Sequence, residues 1–200
     1  MGTVTKLYQA QILKLKRRGI ELSENLNNLI EKASDLGLKA YPMESGDIAV
    51  ENRIALKCAY GCRSYGKRLS CPPHIISIDK FRQVLQEYSN ALLLVDEHDT
   101  SEVQDILKAW GELRKESFRK MFELEQEAFR KGFIYAHLLR PGSCNECDKC
   151  NLERCVKPER RRFAPEAVGV NLQKVMERAG VDLRFCEPEK TMCVGILLLE

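Results

Sequence analysis

The placement of the cysteines constrains this chain more than any other feature. Seven of the nine fall into two groups. The first runs Cys58-Ala-Tyr-Gly-Cys62 and closes at Cys71-Pro72-Pro73-His74; the second runs Cys144-Asn-Glu-Cys147-Asp-Lys-Cys150-Asn-Leu-Glu-Arg-Cys155. Free cysteines are usually buried one at a time in apolar surroundings, whereas the second group stands among Asn, Glu, Asp, Lys and Arg. Each group must fold around something that it binds. A chain of 200 residues is long enough for one compact domain, and that domain must carry two such loops, 58–74 and 144–162.

What the thiols do depends on the redox compartment. The first residues are interrupted by Lys6, Lys14, Lys16, Arg17 and Arg18 and contain no apolar core for an export signal. Lys6 stands where myristoylation would need Ser or Thr. The longest apolar runs, 91–95 and 194–199, are too short to cross a bilayer. The expected compartment is the cytosol, with no membrane association. In that reducing environment clustered cysteines serve as metal ligands or redox-active thiols, and an odd total argues against a disulfide framework.

The second group is the more specific of the two. Three cysteines at intervals of three residues wrap around one compact object, as in the ferredoxin run C-x2-C-x2-C-x3-C-P that holds a cubane cluster. Here Cys155 comes one residue later than in that run, and the proline is Pro158. Zinc is the alternative metal, but it is commonly held by two separated C-x2-C pairs, which leaves the middle cysteine of this run without a role. Cys144, Cys147, Cys150 and Cys155 are therefore expected to ligate a [4Fe–4S] cluster. The first group, C-x3-C-x8-C, gives Cys58, Cys62 and Cys71 as ligands of a second cluster with one position unfilled. Cys186, Cys155, His74 or an external ligand are the candidates for that position. Gly61 and Gly66 loosen this loop, and Pro72 and Pro73 stiffen its exit. Cys193 begins an apolar run and reads as core.

Charge fits this picture. Lys57, Arg63, Lys67 and Arg68 surround the first group with no acidic residue between Lys57 and His74. Lys149, Arg154, Lys157 and Arg160–Arg162 accompany the second. Thiolate-ligated clusters are anionic, and nearby cations stabilise them and raise their potential. A grip on phosphate by Arg160–Arg162 is the competing reading. The net charge of only +3 and the lack of interleaved aromatics argue against a nucleic-acid partner.

Apolar spacing supplies the scaffold. Leu22, Leu26, Leu29, Ile30 and Ala33 share a helical face, with Ser23 as cap and Gly37 as stop. Phe81, Val84, Leu85 and Tyr88 mark a second helix, capped by Ser77 or Asp79. A long stripe from Val103 to Phe129 indicates one long helix or two abutting ones, opposite a charged face. Val168, Leu172, Val175, Met176 and Ala179 mark another, ending at Gly180. Ala91–Val95 and Val194–Leu199 read as strands buried on both faces, and Ile54–Lys57 as a short strand entering the first cysteines. Strand, helix and strand in this order predict an α/β or α+β fold: a small, mostly parallel sheet flanked by helices. The order cysteine loop, helix, apolar strand occurs twice.

Leu56-Lys57-Cys58, Gly61-Cys62, Tyr65-Gly66-Lys67, Cys71-Pro72-Pro73, the second cysteine run and Pro165-Glu166-Ala167-Val168-Gly169 together resemble a family known only as predicted metal-binding proteins (domain of unknown function 2284). The resemblance runs from about residue 54 to the C-terminus and leaves residues 1–50 outside it. It implies metal binding and no reaction. The leading expectation is an electron-transfer or cluster-carrying accessory protein with one or two [4Fe–4S] clusters and a protein redox partner. Two alternatives stand beside it. One is an enzyme with an open iron at Cys58/Cys62/Cys71, for which His74, Tyr60, Tyr65 and Lys67 are candidate acid–base groups. The other is a zinc-stapled interaction or nucleic-acid module. The helical stripe at 103–129 could also serve a homodimer.

Overall fold

The structure is a computed structural model and describes residues 23–182 and 189–200. Its centre is a four-stranded sheet formed by β1 (Lys39–Glu44), β2 (Asn90–Asp99), β3 (His137–Leu139) and β4 (Lys190–Leu199), in the order β1-β2-β4-β3. The expected mostly parallel sheet is overturned: β1 with β2, β2 with β4 and β3 with β4 are all antiparallel. β2 and β4 pair along their full lengths, from Asn90 opposite Leu199 to Asp99 opposite Lys190.

The physical reason lies in the long helix. After β2 the chain enters α4 (Ile106–Arg130), whose 25 residues rise about 37 Å, roughly the length of a ten-residue strand. The helix returns the chain to the end at which β2 began, so β3 does run in the same direction as β2. β4 then inserts between them, and every neighbouring pair becomes antiparallel.

Helices cover both faces. On one side Leu92, Leu94, Leu138, Leu197 and Leu199 pack against α1 (Glu24–Asp35) through Leu26, Leu29 and Ile30, and against α4 through Phe118, Met121 and Leu124. On the other, Ala91, Leu93, Val95, Ile196 and Leu198 meet Phe81 and Leu85 of α3 (Ile78–Leu85), and Leu172, Val175 and Met176 of α5 (Leu172–Arg178). Ser23 caps α1 by accepting from the Leu26 N–H, and Ser77 caps α3 by accepting from the Lys80 N–H. Gly195 lets α4 approach β4: a Cβ there would lie 2.7 Å from the Met121 sulfur and 2.9 Å from the Leu139 carbonyl.

The segment expected as a strand at Ile54–Lys57 is instead helical. A turn at Asn52–Ile54 runs into α2 (Ala55–Gly61), which buries none of its side chains and carries Cys58. The repeated order is present in three dimensions. Loop 58–74 leads to α3 and β2, and loop 144–162 to α5 and β4; the two helices share a face and the two strands are neighbours.

Candidate metal centre

Apart from Cys58, which lies on α2, both cysteine groups lie on irregular backbone held by hydrogen bonds within the loops and between them. In the first, Cys58 is on α2 and Cys62 follows its last residue. The chain then folds back tightly: the Tyr65 N–H donates to the Cys62 carbonyl at 3.2 Å, the Gly66 N–H to the Pro72 carbonyl at 2.9 Å and the Cys71 N–H to the Arg68 carbonyl at 3.0 Å. Gly66 has φ of 67°, a left-handed conformation that this fold-back requires. The three thiols sit close enough to act on one another. Burial pushes the Cys58 thiol up to about 11, and Cys62, Cys71 and Glu166 push it in the same direction. Cys71 is only 6% exposed, and burial raises its thiol too, opposed by the Ser70 hydroxyl beside it. Cys62 is exposed.

In the second group Cys144, Cys147, Cys150 and Cys155 line a single pocket together with Arg68, Leu69, Ser70, Lys157 and Arg161. The first loop thus forms part of the wall around the second group's sulfurs. The Leu69 N–H donates to the Cys150 sulfur at 3.5 Å, the Cys144 N–H to the Ser70 hydroxyl at 3.3 Å and the Ser64 hydroxyl to that of Ser143 at 3.1 Å. Cys71 and Cys144 also feel each other electrostatically. The two loops therefore form one centre with two sets of thiols, although Cys71 and Cys144 lie 73 positions apart in the sequence.

Side chains between the cysteines anchor the second loop. Arg140 is fully buried, with its guanidinium carbon 4.0 Å from the centre of the Phe118 ring, and it donates to Asn145 Oδ1 at 2.6 Å. Asn145 in turn donates to the Gly111 carbonyl at 2.8 Å, tying the loop to α4. Glu146 is paired with Arg160 at 2.7 Å and lies 3.7 Å from Arg140. Burial lowers the Arg140 guanidinium to about 10, and the neighbouring Cys144 and Glu146 act against that shift. Arg162 donates through Nε and Nη2 to Glu125 of α4, each at 2.8 Å. Two of the three consecutive arginines thus have internal carboxylate partners, and Arg161 lines the pocket.

The expected ligand positions fall out as follows. The structure gathers Cys58, Cys62 and Cys71 in one place and Cys144, Cys147, Cys150 and Cys155 in another, side by side. His74 turns its ring nitrogen to the Gly66 carbonyl at 3.2 Å, and Cys155 belongs to the second pocket. Cys186 lies outside the described residues. Cys193 is fully buried on β4, as expected of a core residue, and it touches His98. Among the described residues, no three Cys, His, Asp or Glu side chains converge closely enough to hold a single metal ion.

Sequence reasoning missed Ser70, Arg114, Arg140 and Glu146 as parts of the site. Arg114 sits on α4 between the two loops: it donates to the Ser143 carbonyl at 3.3 Å and feels Cys62 and Cys71. In the sequence it is one more cation on a charged helical face, and no local pattern distinguishes it.

The donor set suits an anionic, thiolate-ligated group. Four sulfurs surround one pocket, a backbone N–H points at one of them, and three cations stand at the wall. The fold is an antiparallel sheet between helical layers, with the two cysteine loops side by side. The chain belongs to the family described as "Predicted metal-binding protein (DUF2284)", whose model matches residues 41–199. The match therefore begins upstream of the motifs, at β1. No curated protein and no solved structure matches the chain. Among the described residues no helix is long and apolar enough to cross a membrane.

Proposed function

We propose that this metal-binding protein is an iron–sulfur protein that carries electrons. One cluster is held by Cys144, Cys147, Cys150 and Cys155, and a second by the neighbouring Cys58, Cys62 and Cys71. The observation that carries the reading is the single pocket lined by all four cysteines of the second run, whose spacing is that of a cubane-binding loop. A bound cluster would supply reversible one-electron chemistry. The chain's own residues would bind it through sulfur, compensate its charge with Arg68, Lys157 and Arg161, and direct the Leu69 N–H at the Cys150 sulfur. Because the loops touch at Ser70 and Cys144, two such clusters would stand near enough to exchange electrons directly.

Redox exchange with a partner needs an exposed approach, and the first loop supplies one. Leu56 and Tyr60 are 56% and 86% exposed on α2, and Lys57, Arg63 and Lys67 are exposed around them. An apolar tip ringed by cations suits docking of an acidic protein. The test is anaerobic reduction of the purified protein by an acidic ferredoxin-type donor. Bleaching of a visible charge-transfer absorption is expected, at a rate that falls at least tenfold when Lys57, Arg63 and Lys67 are all changed to Glu. A protein without a reducible chromophore would refute the reading.

One observation favours a second reading, an enzyme. A cavity of about 430 Å³ beside the centre is lined by Ser70, His74, Ile75, His137, Arg161 and Phe163. It is large enough for a small substrate within reach of the clusters. Spectral perturbation of the reduced protein by small carboxylates, lost in Arg161→Ala, would favour this reading over simple electron carriage.

A further inference from the structure

The cavity of about 430 Å³ shares Leu69, Ser70 and Arg161 with the pocket of the four cysteines, so whatever fills it stands beside that pocket. Its lining is of two kinds. Ile75, Ile76 and Phe163 form an apolar wall, and Ile76 is exposed there although it is a large hydrophobic residue. The wall is backed by the core. The Phe163 ring meets Phe81 edge-on, with centroids 6.2 Å apart, and lies 5.3 Å from the His137 ring. The remaining lining is polar, and none of it is acidic. Arg160 and Arg162 are paired with Glu146 and Glu125, whereas Arg161 between them has no carboxylate partner among the described residues. His74 is fixed by its ring N–H donating to the Gly66 carbonyl at 3.2 Å. Burial, and then the charge of Arg162, hold the His137 imidazole below its ordinary value, so it is a neutral hydrogen-bonding group at neutral pH.

We propose that this cavity binds a small organic carboxylate with an apolar body, its charge on Arg161 and its body against Ile75, Ile76 and Phe163. The site deepens the enzyme reading above and rests on it for the ligand's being a substrate; binding itself requires no reaction. One unpartnered cation with no acidic neighbour selects an anion, and a planar guanidinium matches a carboxylate. Arg161 lines both spaces, and its several N–H donors can face the cysteine pocket on one side and a carboxylate on the other. An inorganic anion would leave the apolar wall uncovered, and a neutral apolar molecule would gain nothing from Arg161. The volume lies toward the small end of ligand pockets, which suits a molecule of the size of benzoate.

The chain has three histidines, and this makes the imidazole signals a direct readout. His74 and His137 line the cavity, while His98 is hydrogen-bonded to Ser117 of α4 on the other face of the sheet. The full-length protein, purified anaerobically, is titrated with benzoate and followed by calorimetry and by proton NMR of the imidazole rings. Benzoate should bind saturably and move the His74 and His137 signals while that of His98 stays in place. Acetate, which lacks the body, and benzyl alcohol, which lacks the charge, should each bind about tenfold more weakly or worse. Arg161→Gln should weaken benzoate by about tenfold or more, with an unmoved His98 signal marking an intact fold. Absence of saturation, or a His98 shift as large as the other two, overturns the site. So does undiminished binding in Arg161→Gln. Should that variant fail to fold, acetate or benzyl alcohol binding as tightly as benzoate to wild type overturns it equally. Saturable binding that leaves the visible spectrum of the reduced protein unchanged upholds the site and removes the enzyme reading.

Discussion

Arg140 shows how single buried charges define the site. Its guanidinium is stacked on Phe118, bonded to Asn145 and close to Glu146, the two residues that separate Cys144 from Cys147. Replacing it by methionine keeps the packing and removes the charge, which leaves the largely buried Glu146 with Arg160 alone. Arg140→Met should therefore cost about 3 kcal/mol or more in urea unfolding and reduce the metal content of the second group in the same preparation. His98 is the other informative residue. The hydrogen bonds to the Asp96 carboxylate and the Cys193 thiol hold its imidazole charged up to about 9, against burial that favours the neutral form. Ser117 joins the cluster at 2.9 Å from the ring and 2.7 Å from Asp96, and Lys120 pairs with Asp96 at 3.1 Å. A raised pKa stabilises the folded protein fully below the ordinary value of 6.5, and the contribution is lost as pH rises through about 9. Unfolding free energies at pH 6 and pH 9.5 should accordingly differ more in wild type than in His98→Gln; an equal difference would contradict the network. Neither network was legible in advance, because a buried arginine and a histidine in a strand carry no periodic signature. The grouping of the seven candidate cysteines into two loops was legible from spacing alone.

At the level of elements, capping and periodicity were good guides, and strand direction was not. Ser23, Ser77, Gly37 and Gly180 mark helix ends where the sequence places them, because their side chains or their positive φ act locally. Ala91–Val95 is apolar at every position because helices cover both faces of the sheet. Such coverage is typical of parallel sheets, but here it occurs in an antiparallel one. The run therefore reports layers and says nothing about direction. β1 went unnoticed because Pro42 interrupts it, which an edge strand tolerates. Ile54–Lys57 is too short to reveal its period, and the turn before it starts a helix. Close packing of elements gives a sharper prediction. Gly195→Val should force Met121 and α4 away from β4 and lower stability by about 1–3 kcal/mol. Gly46→Ala, with open space and an ordinary φ, should be neutral in the same thermal unfolding assay.

The whole molecule divides into a sheet whose central side chains are fully buried and a cysteine-bearing end with few buried apolar groups. α2 buries none of its side chains, and cross-loop hydrogen bonds tie the two loops together; on the proposed function, bound metal would add to that hold. Removing the metal with a chelator should raise amide exchange in residues 55–74 and 144–162 and leave β2 and β4 protected. Loss of protection across the sheet would show that the metal supports the whole fold. The central claim, that the four cysteines of the second run hold iron and sulfide, is tested most directly by quantifying iron, acid-labile sulfide and zinc in anaerobically purified protein. A coloured protein is expected, with iron and sulfide in equal amounts, roughly four of each per cluster, and only traces of zinc. A colourless protein with stoichiometric zinc and no sulfide would contradict it.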